Sequence, residues 1–102
     1  MIHVVATITC HPGKRDEVLG HMRANLPNVV AEDGCERYEP SVDVELGHPA
    51  QPPLRPDVIV VVETWHSLAH LLAHLSAPHM ATYREQVKDL VAGAELRVLS
   101  AD

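Results

Sequence analysis

Histidines between residues 66 and 79 carry the chemistry that this sequence most plainly offers. His66, His70 and His74 are spaced four residues apart, and His79 directly follows a proline. Imidazole has an ordinary pKa close to neutral pH, so these side chains can accept and release protons under physiological conditions. Proton transfer to or from a bound molecule is therefore the first chemistry to consider.

Helical spacing separates these histidines into different candidates. His66, His70 and His74 form one stripe, and the leucines of the same segment centre on another side of the helix. We therefore expect His66 and His70 to face solvent, and we expect no metal site because no Asp, Glu or Cys completes a ligand set. His74 lies nearest the apolar side and is a candidate catalytic base.

His79 is the second candidate catalytic residue. It shares a helix face with Tyr83, four residues later. One interpretation is a histidine at the start of a helix, which the helix dipole keeps neutral. The other uses the same neutrality, because a neutral imidazole can accept a phenolic proton near pH 7. Both interpretations remain open.

The aromatic residues are the candidate substrate contacts. They are Tyr38, Trp65 and Tyr83, and the chain has no phenylalanine. Trp65 ends an apolar run, where it would either fill space between a sheet and a helix or form a wall of a substrate pocket. So few aromatic residues and a net charge of −6 argue against nucleic-acid partners, which need stacking platforms and clustered basic residues.

The remaining polar and sulfur-containing candidates have simpler interpretations. Arg37 and Glu63 lie on two strands that we expect to pair, which predicts a cross-strand ion pair. Cys10 and Cys35 lack metal-ligand spacing and are interpreted as buried, reduced thiols. With no apparent leader and no stretch as long as a membrane span, we expect a cytoplasmic protein without a membrane partner.

The elements that would position these residues follow from hydrophobic periodicity. The central one is a β-branched strand over residues 58–65 that leads into a helix over 68–75. Strands are also predicted over 2–10, 35–45 and 95–100, and helices over 14–30 and 80–91, with a proline-rich loop over 46–57. Pro27 predicts a kink or break near Asn25, Pro40 an edge or bulge position, and Gly93 a helix cap.

This order, β-α-β-β-α(α)-β, predicts an α+β fold of the ferredoxin-like split βαβ type, with residues 1–102 forming one domain. Helices would cover one face of a four-stranded antiparallel sheet. The other face carries strands too apolar to remain in water, so we expect it to meet the same face of a second subunit in a homodimer.

Several motifs, in this order, resemble the antibiotic biosynthesis monooxygenase family. They are Gly34-Cys35 before Arg37-Tyr38-Glu39, then Glu63-Thr64-Trp65 at the end of the central strand, then His74-Leu75 and Pro78-His79. The match spans nearly the whole chain. The resemblance implies a dimeric α+β barrel and an activity like that of small cofactor-independent oxygenases of quinols and polycyclic phenols. The resemblance also extends to haem-degrading relatives and to an isomerase-like branch that acts on a small phosphorylated ketone.

Two positions depart from the patterns of particular branches. Polyketide-oxidising relatives carry an asparagine where this sequence has Val61, and haem-degrading relatives carry a histidine ligand in the region that is here residues 81–84. The family is therefore better supported than either activity.

Three functions follow as hypotheses. The first is a cofactor-independent monooxygenase that acts on an aromatic small molecule with dioxygen, with His74 or His79 as proton acceptor and with Trp65 and Tyr83 orienting the ring. The second is a non-catalytic dimer that binds a quinone-like metabolite. The third, haem binding, ranks lower because the expected ligand is missing.

Overall fold

The computed structural model describes residues 1–101, which form a four-stranded antiparallel sheet covered on one face by three helices. The elements are β1 (Ile2–Cys10), α1 (Arg15–Val30), β2 (Cys35–Ser41), β3 (Val58–Trp65), α2 (Leu68–Leu75), α3 (Pro78–Val87) and β4 (Val91–Ser100). The strand order is β2-β3-β1-β4. This is the ferredoxin-like α+β arrangement, so the predicted fold class is confirmed.

The two central strands separate a buried face from a partly exposed one. Ala6 of β1 lies opposite Val61 of β3, and both are buried beneath the helices. Because successive side chains of a strand point to opposite faces, Val58, Val60 and Val62 lie on the other face, where they are only half-buried. No helix among residues 1–101 is long and apolar enough to cross a membrane.

Pro27 predicted a kink or a break near Asn25, and the break does not occur, because helix α1 runs without interruption through the proline. A proline inside a helix removes one backbone hydrogen bond and favours a kink. Here Met22 and Val29, on either side of the proline, are both buried in the core. Packing of both halves against the sheet thus outweighs the lost hydrogen bond.

Strand β2 ends earlier than predicted, at Ser41 rather than near residue 45. Val42 and Val44 are exposed in the loop that follows, where no strand of the described sheet pairs with them despite their β propensity. Pro40 lies on an edge strand, as predicted. The long loop closes at its base through Arg55, whose guanidinium lies 2.9 Å from the Asp43 carboxylate.

The chain after α3 also differs from the prediction. Helix α3 ends at Val87, and Gly93 is a strand residue opposite Thr9 rather than a helix cap. Strand β4 begins at Val91, four residues earlier than expected, because β1 extends to Cys10 and offers a pairing partner there. Pairing with a neighbouring strand has outweighed the helical pattern of the sequence.

Candidate active site

An apolar cavity of about 320 Å³ lies between the sheet and the helices. Its apolar lining comes mainly from β1, β3, β4 and α3, and its polar side chains are few. Those polar side chains are Tyr38, Glu63, His74, Tyr83 and Arg84. An apolar cavity with a small number of polar groups that fix orientation is the usual form of a small-molecule site.

Helix α2 places His74 inside the protein. The helix starts after Ser67, whose hydroxyl accepts a hydrogen bond from the backbone N–H of His70. Its buried residues are Leu71 and His74, whereas Leu68 and Leu72 are 56% and 64% exposed. The prediction that the leucines form the core-facing stripe is thus wrong for two of them. The imidazole takes their place because it has a partner for its polar atom.

Glu32 is that partner and holds the ring of His74 in place. Its Oε2 lies 2.7 Å from His74 Nδ1, and His74 is only 2% exposed. The imidazole also packs against the ring of Trp65 at 4.7 Å and edge-on against Tyr38 at 5.3 Å, measured between ring centroids. With Nδ1–H donated to Glu32, Nε2 is left with its lone pair, and it makes no hydrogen bond within residues 1–101.

Burial controls the charge of His74. Desolvation lowers the pKa of this imidazole and outweighs Glu32, which acts in the opposite direction. The ring is therefore neutral at pH 7 and can accept a proton through Nε2. This is the property that a general base needs.

His79 approaches the same carboxylate from α3 but does not line the cavity. Its Nε2 is buried and lies 3.3 Å from Glu32 Oε2, without the alignment of a hydrogen bond. Its Nδ1 lies 3.2 Å from the side-chain nitrogen of Asn25 in α1. The ring borders a separate, more open cleft of about 340 Å³ between α1 and α3. The structure thus brings both predicted histidines to Glu32 but only His74 to the cavity.

Glu63 was not predicted as a site residue, and its predicted ion pair with Arg37 is wrong. Arg37 pairs with Glu39, 2.9 Å away, on the exposed face. In the sheet register Glu63 lies opposite Tyr38, so it points to the helix side and lines the cavity. Residues two apart in a strand share a face. The spacing of Glu63 and Trp65 was therefore the signal for this placement.

Glu63 is buried with its carboxyl group next to the indole. It is 3% exposed, and Trp65 Nε1 donates a hydrogen bond of 2.9 Å to Oε1. Burial raises the pKa of Glu63 to about 7, and Glu32 adds to the increase, while the indole N–H opposes it. Trp65 itself is fully buried and lies behind Glu63 and His74 rather than in the cavity wall.

The two tyrosines line the cavity as hydrogen-bond donors. Burial raises the pKa of Tyr38 well above its ordinary value and that of Tyr83 to about 12. Both phenols therefore keep their protons at neutral pH. Each can donate a hydrogen bond to an oxygen of a bound molecule.

The other histidines and the cysteines lie outside the cavity. His66 contacts Glu36, and His70 lies 3.4 Å from Asp33, both at the surface. Within residues 1–101, no group of three or more His, Cys, Asp or Glu side chains is arranged to hold a metal ion. The two cysteines are free thiols whose pKa values burial raises.

Glu32 was not predicted as a site residue. It lies just after α1, and no local pattern links it to residues about 40 positions later. Only the packing of α2 and α3 against the end of α1 brings it to both histidines. Sequence reasoning had no signal for this contact.

This fold and cavity place the chain in the class of small α+β proteins that bind a small molecule between a sheet and its helices. Residues 1–86 match the sequence profile of the family described as antibiotic biosynthesis monooxygenase. The chain belongs to the antibiotic biosynthesis monooxygenase family, as its motifs predicted.

Individual relatives agree with this assignment. The chain is 43% identical over 101 residues to the protein named probable quinol monooxygenase YgiN from Escherichia coli strain K12, covering 97% of this chain and 96% of the relative. The structure of Rv0793 from Mycobacterium tuberculosis superposes with a TM-score of 0.79 at 25% identity, covering 98% and 93% of the two chains. A conserved protein from Methanosarcina mazei Go1 gives 0.82 at 19% identity, covering 99% and 92%, which shows the shared fold.

Proposed function

We propose that this protein is a monooxygenase that oxidises a quinol or a related phenolic small molecule with dioxygen and needs no bound cofactor. A relative of nearly equal length carries the name probable quinol monooxygenase. The observation that carries the proposal is His74, a neutral imidazole held by Glu32 with Nε2 left free beside an apolar cavity. A quinol needs such a base, because its deprotonated form is the species that reduces dioxygen.

The reaction balances without another reductant. His74 Nε2 takes the phenolic proton, and the quinolate transfers electrons to dioxygen as a ring C–O bond forms, giving a peroxide. His74 returns the proton to this peroxide. Loss of the ring C–H proton and cleavage of the O–O bond then release water. The sum is quinol plus dioxygen giving hydroxyquinone plus water, in which the quinol supplies every electron.

The size and lining of the cavity suggest which quinols fit. A volume of about 320 Å³ is near the lower end for small-molecule sites. We infer that a ring system of one or two fused rings is accepted and that larger polycyclic phenols are excluded. Tyr38 and Tyr83 would donate hydrogen bonds to the quinol oxygens, and Trp65 would support His74 from behind. His79 would act through Glu32 rather than touch the substrate.

We also propose that the working unit is a homodimer in the cytoplasm. Val58, Val60 and Val62 form a half-buried apolar strip on the sheet face that carries no helix. A contiguous apolar surface of this kind is a usual protein interface, and a two-fold arrangement would bury it against a second copy. Unpaired Cys10 and Cys35 are typical of a reducing compartment.

The test is oxygen incorporation from isotopically labelled dioxygen into a simple hydroquinone or naphthoquinol. The wild-type protein should form labelled hydroxyquinone, and His74→Gln should reduce the rate roughly 10²- to 10⁴-fold, the usual contribution of general base catalysis. His66→Gln, an exposed histidine of the same segment, is the matched control and should retain the wild-type rate. No labelled product from the wild-type protein would contradict the proposal.

One observation favours a second candidate, a protein that binds a quinone without oxidising anything. Val61 lines the cavity at the position where the resemblance implies an asparagine in the polyketide-oxidising relatives. A hydrocarbon side chain cannot stabilise a developing oxyanion there. Saturable quinone binding with no oxygen uptake would support this second function instead of the first.

A further inference from the structure

We propose that Glu63 is the general acid of this cavity and protonates the departing oxygen when the O–O bond of the peroxide breaks. The inference rests on the proposed monooxygenase function and adds a second catalytic residue to it. In this arrangement His74 and Glu63 face one cavity with opposite tasks, one accepting protons and the other donating them.

The geometry gives Glu63 the placement that an acid needs. Its strand, β3, is central in the sheet, and the side chain points from it into the cavity. Trp65 fixes Oε1 through a hydrogen bond of 2.9 Å. The other oxygen, Oε2, has no hydrogen-bond partner within residues 1–101 and is free to meet a bound molecule.

The surroundings of Glu63 favour the protonated carboxyl. The ionisable groups near it are Glu32 from the end of α1, Cys35 and Tyr38 from β2, His74 from α2, and Tyr83 and Arg84 from α3. None forms an ion pair with it in the described chain, and the guanidinium of Arg84 instead donates to the backbone oxygen of Leu75 at 2.6 Å.

A carboxylate with no cation beside it is costly in a buried site. That cost is why the pKa of Glu63 lies near 7 while burial moves that of His74 downward. Two ionisable groups whose environments shift them in these directions are suited to act as acid and base in one site.

The O–O bond of the ring hydroperoxide breaks, and the outer oxygen leaves as water with the proton of the Glu63 carboxyl. The electron pair of the ring C–H bond forms the new carbonyl, and that ring proton goes to His74 Nε2. The site then holds a carboxylate and an imidazolium, and transfer of one proton from His74 to Glu63 restores both.

Glu63→Gln tests the proposal because it keeps the size of the side chain and an acceptor for Trp65 but removes the proton. We expect kcat to fall about 10²-fold while KM for the quinol changes little. Since the peroxide would no longer be cleaved efficiently, most of the oxygen consumed should appear as hydrogen peroxide. Glu17→Gln, an exposed glutamate in the first turn of α1, is the control and should show the wild-type kcat and peroxide yield.

A second variant keeps the test decisive if Glu63→Gln fails to fold. Wild-type activity should decline above about pH 7 as Glu63 ionises. Trp65→Phe removes the hydrogen bond that stabilises the carboxylate, so the decline should move to higher pH. A purely structural role of Glu63 predicts no such movement.

The outcomes separate this proposal from the monooxygenase function itself. If the wild-type protein incorporates labelled oxygen but Glu63→Gln keeps its kcat and releases no more hydrogen peroxide, the acid role is overturned and the function stands. An unchanged alkaline limb in Trp65→Phe would overturn it as well. If the wild-type protein incorporates no oxygen, both proposals fail together.

Discussion

Glu32 Oε2 lies 2.7 Å from His74 Nδ1, across 42 positions of sequence, and this contact orients the only imidazole that lines the described cavity. A carboxylate on one nitrogen of a histidine selects the tautomer whose other nitrogen carries the lone pair. Through this contact, His74 becomes a base directed at the cavity and not only a side chain that fills space in the core.

Glu32→Gln should reduce kcat by roughly 10²-fold, because a carboxamide no longer selects the tautomer of His74. Glu32 also raises the pKa of His74 against the effect of burial. Its removal should therefore move the acid limb of the pH profile to lower pH. Glu36→Gln, which affects the exposed His66 instead, is the control, and the measurement is kcat against pH. An acid limb that moves upward would contradict this assignment.

His79→Gln should reduce kcat less than His74→Gln does, about tenfold, because His79 contacts Glu32 and not the cavity. Combined with Glu32→Gln, it should add little further loss, since residues that act through one group are not additive. Steady-state kinetics of the two single variants and the double variant form the cycle. Fully additive losses would show that His79 acts separately from Glu32.

Relative to the Glu63→Gln variant, the wild-type protein should be less stable at alkaline pH than at acidic pH. Its pKa is raised from 4.5 to about 7 in the folded state, so the unfolded chain releases the proton first as pH rises. The free energy of unfolding of the wild-type protein therefore falls, relative to that of Glu63→Gln, as the pH rises from 4.5 to about 7, by roughly 3 kcal/mol at most. Urea unfolding at pH 4.5 and pH 8 measures the difference. If the difference in unfolding free energy between the two proteins does not change with pH, the raised pKa of Glu63 is contradicted.

Gly34→Ala should destabilise the protein by roughly 2–4 kcal/mol, combining left-handed backbone strain with overpacking. Gly34 has φ of +82°, and a Cβ there would overlap the ring of His70. Gly13→Ala is the matched control, because its φ of +79° is similar but no atom lies within 4 Å of the added Cβ.

The control should lose only the strain, about 1–2 kcal/mol, as judged by thermal or urea unfolding. In the double variant that combines Gly34→Ala with His70→Ala, the loss of stability should fall to that of Gly13→Ala. Equal losses at both glycines would show that the contact with His70 contributes nothing.

Val60→Lys should convert the proposed dimer into a monomer, because it places a charge in the centre of the apolar sheet face. Val44→Lys, at a loop valine that is 78% exposed, should leave the oligomeric state unchanged. Light scattering after size-exclusion chromatography distinguishes the two. A wild-type protein that is already monomeric would remove the dimer from the proposed function.

Sequence patterns alone determined most of the architecture. The β-branched runs of β1 and β3 and the order of elements were enough to predict the split βαβ sheet, because a short apolar run of this composition favours a buried strand. The same reasoning failed at Gly93 and at the end of β2. There, the availability of a neighbouring strand decided whether a residue paired, and that is not a local property.

For the candidate site, too, some features followed from the sequence and others only from the tertiary structure. His74 could be selected from its position beside the leucines, because helical spacing fixes which residues share a face. Its burial depended on Glu32, and the role of Glu63 depended on a register that sets it opposite Tyr38 rather than Arg37. The sequence thus determined which groups were available for chemistry. Only the tertiary structure decided their partners, and therefore their protonation, because pKa values follow from burial and from neighbours distant in the chain.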